Sequence, residues 1–386
     1  MEVVDPVELT RALVRCPSVT PVEAGVFAPL EQRLEAMGFS SRRLAFRSTA
    51  GGQSVPNLFA RLGTDAPVLL FCGHTDVVPP GDPAAWTVDP FAGEIRDGRL
   101  YGRGAADMKS GIAAFLAAVS RFLRDRGAPR GSIVLFLTND EEGPAIDGTQ
   151  ALLRWFRDNG GRFDAAIVGE PTSEAIVGDT IKIGRRGSLS GHLTVFGRQG
   201  HVAYPQRADN AAHGMVQLLA RLIGEPIDGG SAHFEPSTLQ VTTIDVGNPA
   251  GNVIPGRATA VFNVRYNDLH DAASLEALLR ARLDSCGVRY DLRVHCGAEP
   301  FLTLPGRLTD LVGDAVFAVQ KLRPRLSTSG GTSDARFLAP AGPVVECGIV
   351  GPTMHQVDEH VRIADIEALT AIYRALLDRF FDRWQC

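Results

Sequence analysis

Residues 67–76 read PVLLFCGHTD. An unbroken apolar run, Pro67–Cys72, ends abruptly in the polar cluster Gly73, His74, Thr75 and Asp76. A short apolar run without alternation is the pattern of a strand buried on both faces, as in a parallel sheet covered by helices. Outward from it, Ser110–Leu123 is an Ala-rich helix, Gly127–Gly131 (GAPRG) a loop, and Ser132–Thr138 a second apolar strand. Thr149–Arg157 has helical spacing and Asp164–Gly169 (DAAIVG) is again strand-like. Upstream, residues 5–15 and 23–37 carry helical apolar spacing, the second segment closed by Gly38 as a C-cap. Strands alternating with helices predict an α/β domain around a mainly parallel sheet with both faces covered.

The pattern changes near Gly184. Leu189–Phe196 alternates as a half-exposed strand, Ala208–Ile223 is helical, and Thr238–Val246 and Ala258–Tyr266 alternate again. A helix at Ala272–Leu283 and a strand at Arg289–His295 complete a β-α-β-β-α-β order, that of a small open-faced sandwich. Helix–strand alternation resumes after Pro300 and ends in the helix Ile363–Trp384. The 386 residues exceed what one core usually organises. Residues 1–183 and 297–386 are therefore read as one catalytic domain, and residues 184–296 as an inserted lid.

Composition excludes several classes. Apolar residues make up 45% and charged residues 22%, an ordinary globular balance. A net charge of −5 without any Lys/Arg-rich run argues against nucleic acid or an anionic membrane as partner. No run reaches the roughly 18 apolar residues of a membrane-spanning helix. The start, MEVVDPVELTRALVRCPSVT, lacks the basic and apolar regions of a secretory signal. Cys16, Cys72, Cys286, Cys296, Cys347 and Cys386 form no CxxC pair, so neither a disulfide framework nor a thiolate zinc site is expected, and a reducing, cytoplasmic setting fits.

The chemistry-bearing residues lie just beyond the expected strands. His74 and Asp76 are two apart at a strand end, where a neutral imidazole can bind metal while a carboxylate fixes its other nitrogen. Asp107 projects from the glycine-rich turn Gly102-Arg-Gly-Ala-Ala-Asp107 before a helix; Glu141-Glu142 follow the strand ending at Thr138; Glu170 follows the strand ending at Gly169. His355, in Pro352-Thr-Met-His355, follows the strand around Val344–Cys347. Each feature alone is ordinary, for a carboxylate before a helix is usually an N-cap and an acidic pair is usually solvated. Five of them in order at one sheet edge are not, because that edge is where open α/β sheets bind ligands. Imidazoles and carboxylates without thiolates suit two zinc ions in a catalytic site, and cobalt or manganese also accept such donors. In the acidic pair one residue can ligate metal while its neighbour carries a proton from water to a leaving amine.

The strings GHTDVVPPGD (73–82), YGRGAADMKSG (101–111), TNDEEG (138–143), VGEPT (168–172) and MHQVDE (354–359) resemble those of the aminoacylase and carboxypeptidase family of cocatalytic zinc hydrolases. The resemblance runs over essentially the whole chain. It implies two zinc ions per subunit, His74 and Glu170 on one, Glu142 and His355 on the other, with Asp107 between them. It further implies that Asp76 orients His74 and that Glu141 is the general base and acid. The segments KIGRRGS (182–188) and GRQGHVAYP (197–205) resemble a branch of that family that removes succinyl groups more than generic aminoacylases. On that likeness His201 reaches the partner subunit's site in a homodimer formed through the lid. Arg185, Arg186, Asn252, Arg265, Gly331, Thr332 and Ser333 would then bind a small substrate rich in carboxylates, which arginine forks match in pairs. Two positions depart from the pattern: some members of the branch carry asparagine where this chain has Gly351, and an Asn-Asn pair in place of Gly251-Asn252. A sister deacylase, whether a deacetylase or a related aminoacylase or carboxypeptidase, is the alternative those departures leave open. The remaining histidines, His192, His213, His233, His270, His295 and His360, have no carboxylate company at useful spacing.

Overall fold

The apolar segments around residues 67–76 and 132–138 do form neighbouring strands. In the computed structural model, which describes residues 3–47 and 53–384, Val68–His74 and Ser132–Thr138 are buried at every position and pair in parallel. They lie inside an eight-stranded sheet of order Ser40–Phe46, Val55–Leu62, Ser132–Thr138, Val68–His74, Ala165–Val168, Val344–Glu346, Thr180–Lys182 and Arg325–Ser327. Its four central strands are parallel, and the hairpin Ser40–Phe46/Val55–Leu62 adds antiparallel strands at one edge.

Helices cover both faces, as continuous apolar strands require. Beneath Val68–His74, Phe71 stacks on Phe115 of helix Ser110–Arg126 at 4.1 Å, and both rings meet Tyr373 of helix Ile363–Arg383 edge-on. On the opposite face Cys72 meets Thr149 at the start of helix Thr149–Asp158, and Phe59, Phe136 and Phe156 form a second aromatic cluster. A separate three-stranded sheet joins Glu94–Arg96, Arg99–Tyr101 and His360–Arg362. It brings the start of the Gly102–Asp107 turn beside the end of the His355 loop.

The chain divides into two compact units: Met1–Ile183 with Thr303–Ser327 and Ser333–Cys386, and Gly184–Leu302 with Thr328–Thr332. The second unit holds an antiparallel sheet of order Thr238–Asp245, Arg257–Tyr266, Gly187–Phe196, Tyr290–Ala298. Helices Ala211–Ile223 and Ala272–Asp284 pack on it through a core that includes Leu193, Met215, Leu218, Phe262, Leu275 and Leu279. Its order along the chain is β-α-β-β-α-β. Gly191 is required there, since a Cβ on it would lie 2.2 Å from the ring of Phe262.

Cys72 and Cys347 are buried, Cys296 is exposed, and the five described cysteines are free; Cys386 lies outside the described residues. Among the described residues no helix is long and apolar enough to cross a membrane.

Candidate metal centre

The strand that begins at Val68 runs through His74, which pairs with Thr138, so the imidazole sits on the last residue of a fully buried strand. Because the neighbouring strands run parallel to it, Asn139–Glu142 and Gly169–Glu170 emerge at the same edge. Asp107 lies in the turn Ala105–Lys109 with non-helical φ −120° and ψ 94°, so its carboxylate leaves the helix that follows instead of capping it. That helix can come close because residue 111 is glycine: a Cβ there would lie 2.5 Å from the carbonyl oxygen of Gly169. His355 has φ 62° on an exposed turn, and its side chain is 48% exposed, so the loop backbone must hold it in place.

The carboxylate of Asp107 stands between the two imidazoles. Its Oδ1 is 3.1 Å from Nε2 of His74, and its Oδ2 is 3.2 Å from Nε2 of His355. Glu170 flanks the first imidazole, Oε1 to Nε2 3.7 Å, and Glu142 the second, Oε1 to Nε2 2.8 Å. One ligand atom each from His74, Asp107 and Glu142 falls within 4.8 Å of the others, and so does one each from His74, Glu141 and Glu170.

Burial and mutual charge shift several groups of this cluster. Burial pushes Glu141 and Glu170 well above the usual carboxylate range, with neighbouring carboxylates adding to the rise. Burial would lower His74, yet its hydrogen bond to Asp107 and the charges of Glu170, Asp107 and Glu141 lift it well above its usual value. Hydrogen bonds to Asp107 and Glu142 raise His355 to about 10. Asp107 is drawn down despite its burial by the two imidazoles. A field that makes two adjacent imidazoles bind protons this strongly is one that divalent cations can fill in the protons' place. The nitrogen and oxygen donors fit zinc, and equally cobalt or manganese.

Asp76 acts differently from the sequence expectation. The group at hydrogen-bonding distance from Nδ1 of His74 is the main-chain carbonyl of Asp76, at 2.9 Å, while the Asp76 carboxylate is 3.8 Å away. The carboxylate instead accepts the amides of Glu141 and Glu142, at 3.3 and 3.0 Å, and burial raises it to about 6. It is a cap on the turn that carries the acidic pair.

Sequence reasoning missed one pair altogether. Arg103 and Glu359, 3% and 0% exposed, form an ion pair of 2.6 Å directly behind Asp107. Both lie inside strings already singled out, YGRGAADMKSG and MHQVDE, but their meeting depends on the three-stranded sheet, which the short strands Arg99–Tyr101 and His360–Arg362 did not announce.

The other candidate residues fall mostly in the second unit. His201 lies on the short strand Gly200–His201 paired with Val253–Ile254, is exposed, and accepts the amide of Ala203 at Nδ1. Asn252 is its exposed neighbour, its carbonyl bonded to the amide of Val202. Arg265 lies opposite Ser188 on the sheet, and its pKa is lowered by burial and by the charge of Arg186. Among the described residues the buried Nε of Arg186 has no hydrogen-bond partner. Arg185 is buried and donates to the carbonyl of Ser329; a Cβ on Gly330 would lie 2.4 Å from its Nη1, so the guanidinium packs directly on that glycine. Gly331 is exposed and Thr332 half-buried in the same segment. Ser333 belongs to the first unit, and its buried hydroxyl bonds Glu346. Among the remaining histidines, His270 does have carboxylate company, 3.6 Å from Asp228, in a cluster that ties Asn267, Gly230 and Ser237 together.

Comparison with known proteins agrees with this architecture. The model of the peptidase family M20/M25/M40 matches residues 70–379. Two curated relatives, both named succinyl-diaminopimelate desuccinylase, come from Rhodospirillum centenum and Methylorubrum populi. The first is 56% identical over 377 residues, covering 98% of this chain and 97% of that protein. The second is 56% identical over 382 residues, covering 97% and 98%. Among solved structures, an M20 family metallo-carboxypeptidase from Sulfolobus solfataricus superposes with a TM-score of 0.79 at 17% identity, over 99% of this chain and 100% of the other. Aminopeptidase PepT from Bacillus cereus gives 0.78 at 21% identity, over 97% of each chain. At those identities the solved structures speak for the fold alone.

Proposed function

The chain belongs to peptidase family M20/M25/M40, and from that premise we propose that it is a metal-dependent amidohydrolase cleaving N-succinyl-LL-2,6-diaminopimelate to succinate and the free diaminopimelate. The observation that carries the reading is the Asp107 carboxylate with one oxygen on each imidazole, the position of a ligand shared by two ions. His74 and Glu170 would hold one ion and Glu142 and His355 the other; these donors suit zinc, and cobalt fits them as well. Bound there, such ions would polarise an amide carbonyl and make an attacking water more acidic.

The protein's own groups supply the rest. Glu141, not needed as a ligand, takes the proton of the attacking water and returns it to the amide nitrogen as the C–N bond breaks. The oxygen of that water ends in the succinate carboxylate, and the diamine leaves neutral before it is protonated by solvent. Arg186 and Arg265, whose mutual repulsion an anion would relieve, bind substrate carboxylates, assisted by Asn252, Gly331 and Thr332. Arg185 supports that segment through Ser329 and Gly330. The second unit forms a homodimer, and His201 of one subunit helps hold the developing oxyanion in the other, an electrostatic role for an exposed imidazole whose Nε2 remains free to donate. The protein works in the cytoplasm on the route to diaminopimelate and lysine.

Metal analysis together with a two-substrate assay tests this. About two zinc ions per chain and turnover of N-succinyl-LL-2,6-diaminopimelate well above that of N-acetylornithine are expected. Turnover of the acetylated substrate alone would replace the reading with that of a sister deacetylase.

A further inference from the structure

Beyond the ion pair itself, the side-chain hydrogen bonds of the buried Arg103 and Glu359 end on the backbone of the two loops that carry Asp107 and His355. Oε1 of Glu359 accepts the amides of Ala106 and Asp107, at 2.9 and 3.1 Å, fixing the turn that presents the shared carboxylate. Its Oε2 accepts Nη1 of Arg103 at 2.6 Å. The guanidinium in turn donates to the carbonyls of Gln356, 3.2 Å, and His355, 3.4 Å. Ring face and ladder complete the clamp. Arg103 lies over the ring of Trp86 at 5.2 Å, and the pairing of Tyr101 with His360 sets the register that brings the two charges together. The amide of Gly102 bonds the carbonyl of Glu359 at 2.8 Å. Two loops 256 residues apart in sequence are thus joined through one charge pair.

That arrangement matters most for His355. His74 is fixed by a fully buried strand, whereas His355 is half exposed on a turn with a left-handed backbone. A half-exposed imidazole can ligate tightly only if its main chain is held. Removing one charge would also leave the other buried and unpaired, which costs more than removing both.

We infer that Arg103 and Glu359 are positioning residues that preorganise the site, setting the spacing between Asp107 and His355 and hence the affinity for the ion on the His355 and Glu142 side. This rests on the two-ion reading of the site. Partners that orient ligands from behind are worth about 10- to 100-fold in metal affinity.

The test measures zinc binding to the full-length protein by competition with a chelator, alongside the melting temperature of the metal-free chain. Glu359→Gln keeps an acceptor for the two amides but loses the charge that holds the guanidinium. Arg103→Lys keeps a charge but cannot reach both Glu359 and the loop carbonyls. For each, one of the two zinc affinities should fall about 10- to 100-fold, with the other changed less. His355→Ala identifies the weakened site as the one it removes. Ile133→Ala, at the far end of the buried strand from the site, provides a variant of lowered melting temperature whose zinc affinities should hold. If a single variant fails to fold, Arg103→Met/Glu359→Met buries no unpaired charge and takes its place. Unchanged zinc affinities in the folded variants, or equal losses in Ile133→Ala, would overturn the positioning role. A wild-type chain that binds no zinc, cobalt or manganese would overturn the two-ion reading itself, and this role with it.

Discussion

Replacing Asp76 with asparagine separates two accounts of how the acidic pair and His74 are held. The substitution preserves the shape of a side chain that is fully buried, so packing is retained. In the wild type its two oxygens accept the amides of Glu141 and Glu142. An asparagine offers one oxygen and turns an NH2 donor toward the second amide, so one bond to a charged acceptor is lost. Such a bond contributes about 1.5–3 kcal/mol, and a loss of about 2 kcal/mol corresponds to about thirtyfold. The loss should appear in kcat, through Glu141, and in affinity for the ion on Glu142 and His355. It should spare the ion on His74 and Glu170, because Nδ1 of His74 is bonded to the Asp76 main chain, which the substitution leaves alone. The assay is steady-state kinetics with zinc competition, using His74→Ala and His355→Ala as single-site references and amide hydrogen exchange at residues 141 and 142. Selective loss of the His74 ion, with protection of those two amides intact, would refute the reasoning and return Asp76 to the role of a carboxylate orienting His74.

Three further outcomes follow from the same geometry. Glu141→Gln should keep both metals while kcat falls by about a hundredfold or more, and metal content with kinetics on the same sample checks it. His201→Ala and Asp107→Ala, each nearly inactive, should partly restore activity when mixed as unfolded chains and refolded together, if an imidazole from one subunit completes the site of the other; absence of recovery would confine His201 to its own chain. Asp179 carries a pH signature remote from the metals. Burial raises it, but the amides of Ile176, Glu174 and Ala175 overcome this and hold it below its ordinary 3.8. A depressed folded value means the stabilisation is complete above the unfolded value and is lost as pH falls through the folded one. Asp179→Asn should therefore melt below wild type at neutral pH, with a gap that narrows only below about pH 4, as thermal melts across pH would record.

The residues whose structure was legible were those whose pattern is local. Pro67–Cys72 and Ser132–Thr138 declared themselves by continuous apolarity, and the second unit by alternation that switches to helical spacing and back. Boundaries drifted where polar residues complete an apolar element. His74 is part of its strand because Thr138 pairs with it, which nothing within residues 67–76 reveals. The helix read as starting at Ala208 begins at Ala211, since Pro205–Arg207 forms a tighter turn and Asn210 supplies the cap. The hairpin Ser40–Phe46/Val55–Leu62 escaped notice because arginines and serines interrupt its alternation. That His74, Asp107, Glu141, Glu142 and Glu170 gather near one another could be read from strand ends. The role of Asp76 and the Arg103–Glu359 clamp could not, because both depend on which backbone groups a distant loop delivers.

The central position of Val344–Glu346 in the sheet has a consequence for the order in which the molecule is made. That strand sits between Ala165–Val168 and Thr180–Lys182, both synthesised long before it. A nascent chain that has emerged only through Lys182 therefore has His74, Asp107, Glu141, Glu142 and Glu170 available but no strand to fill the gap beside Ala165–Val168. It also lacks His355 and the helix Ile363–Arg383 that packs under Phe71. Closure of the sheet and arrival of the final imidazole are thus one late event. Such sequence-distant pairing is slow to form, and the full set of candidate ligands exists only after it.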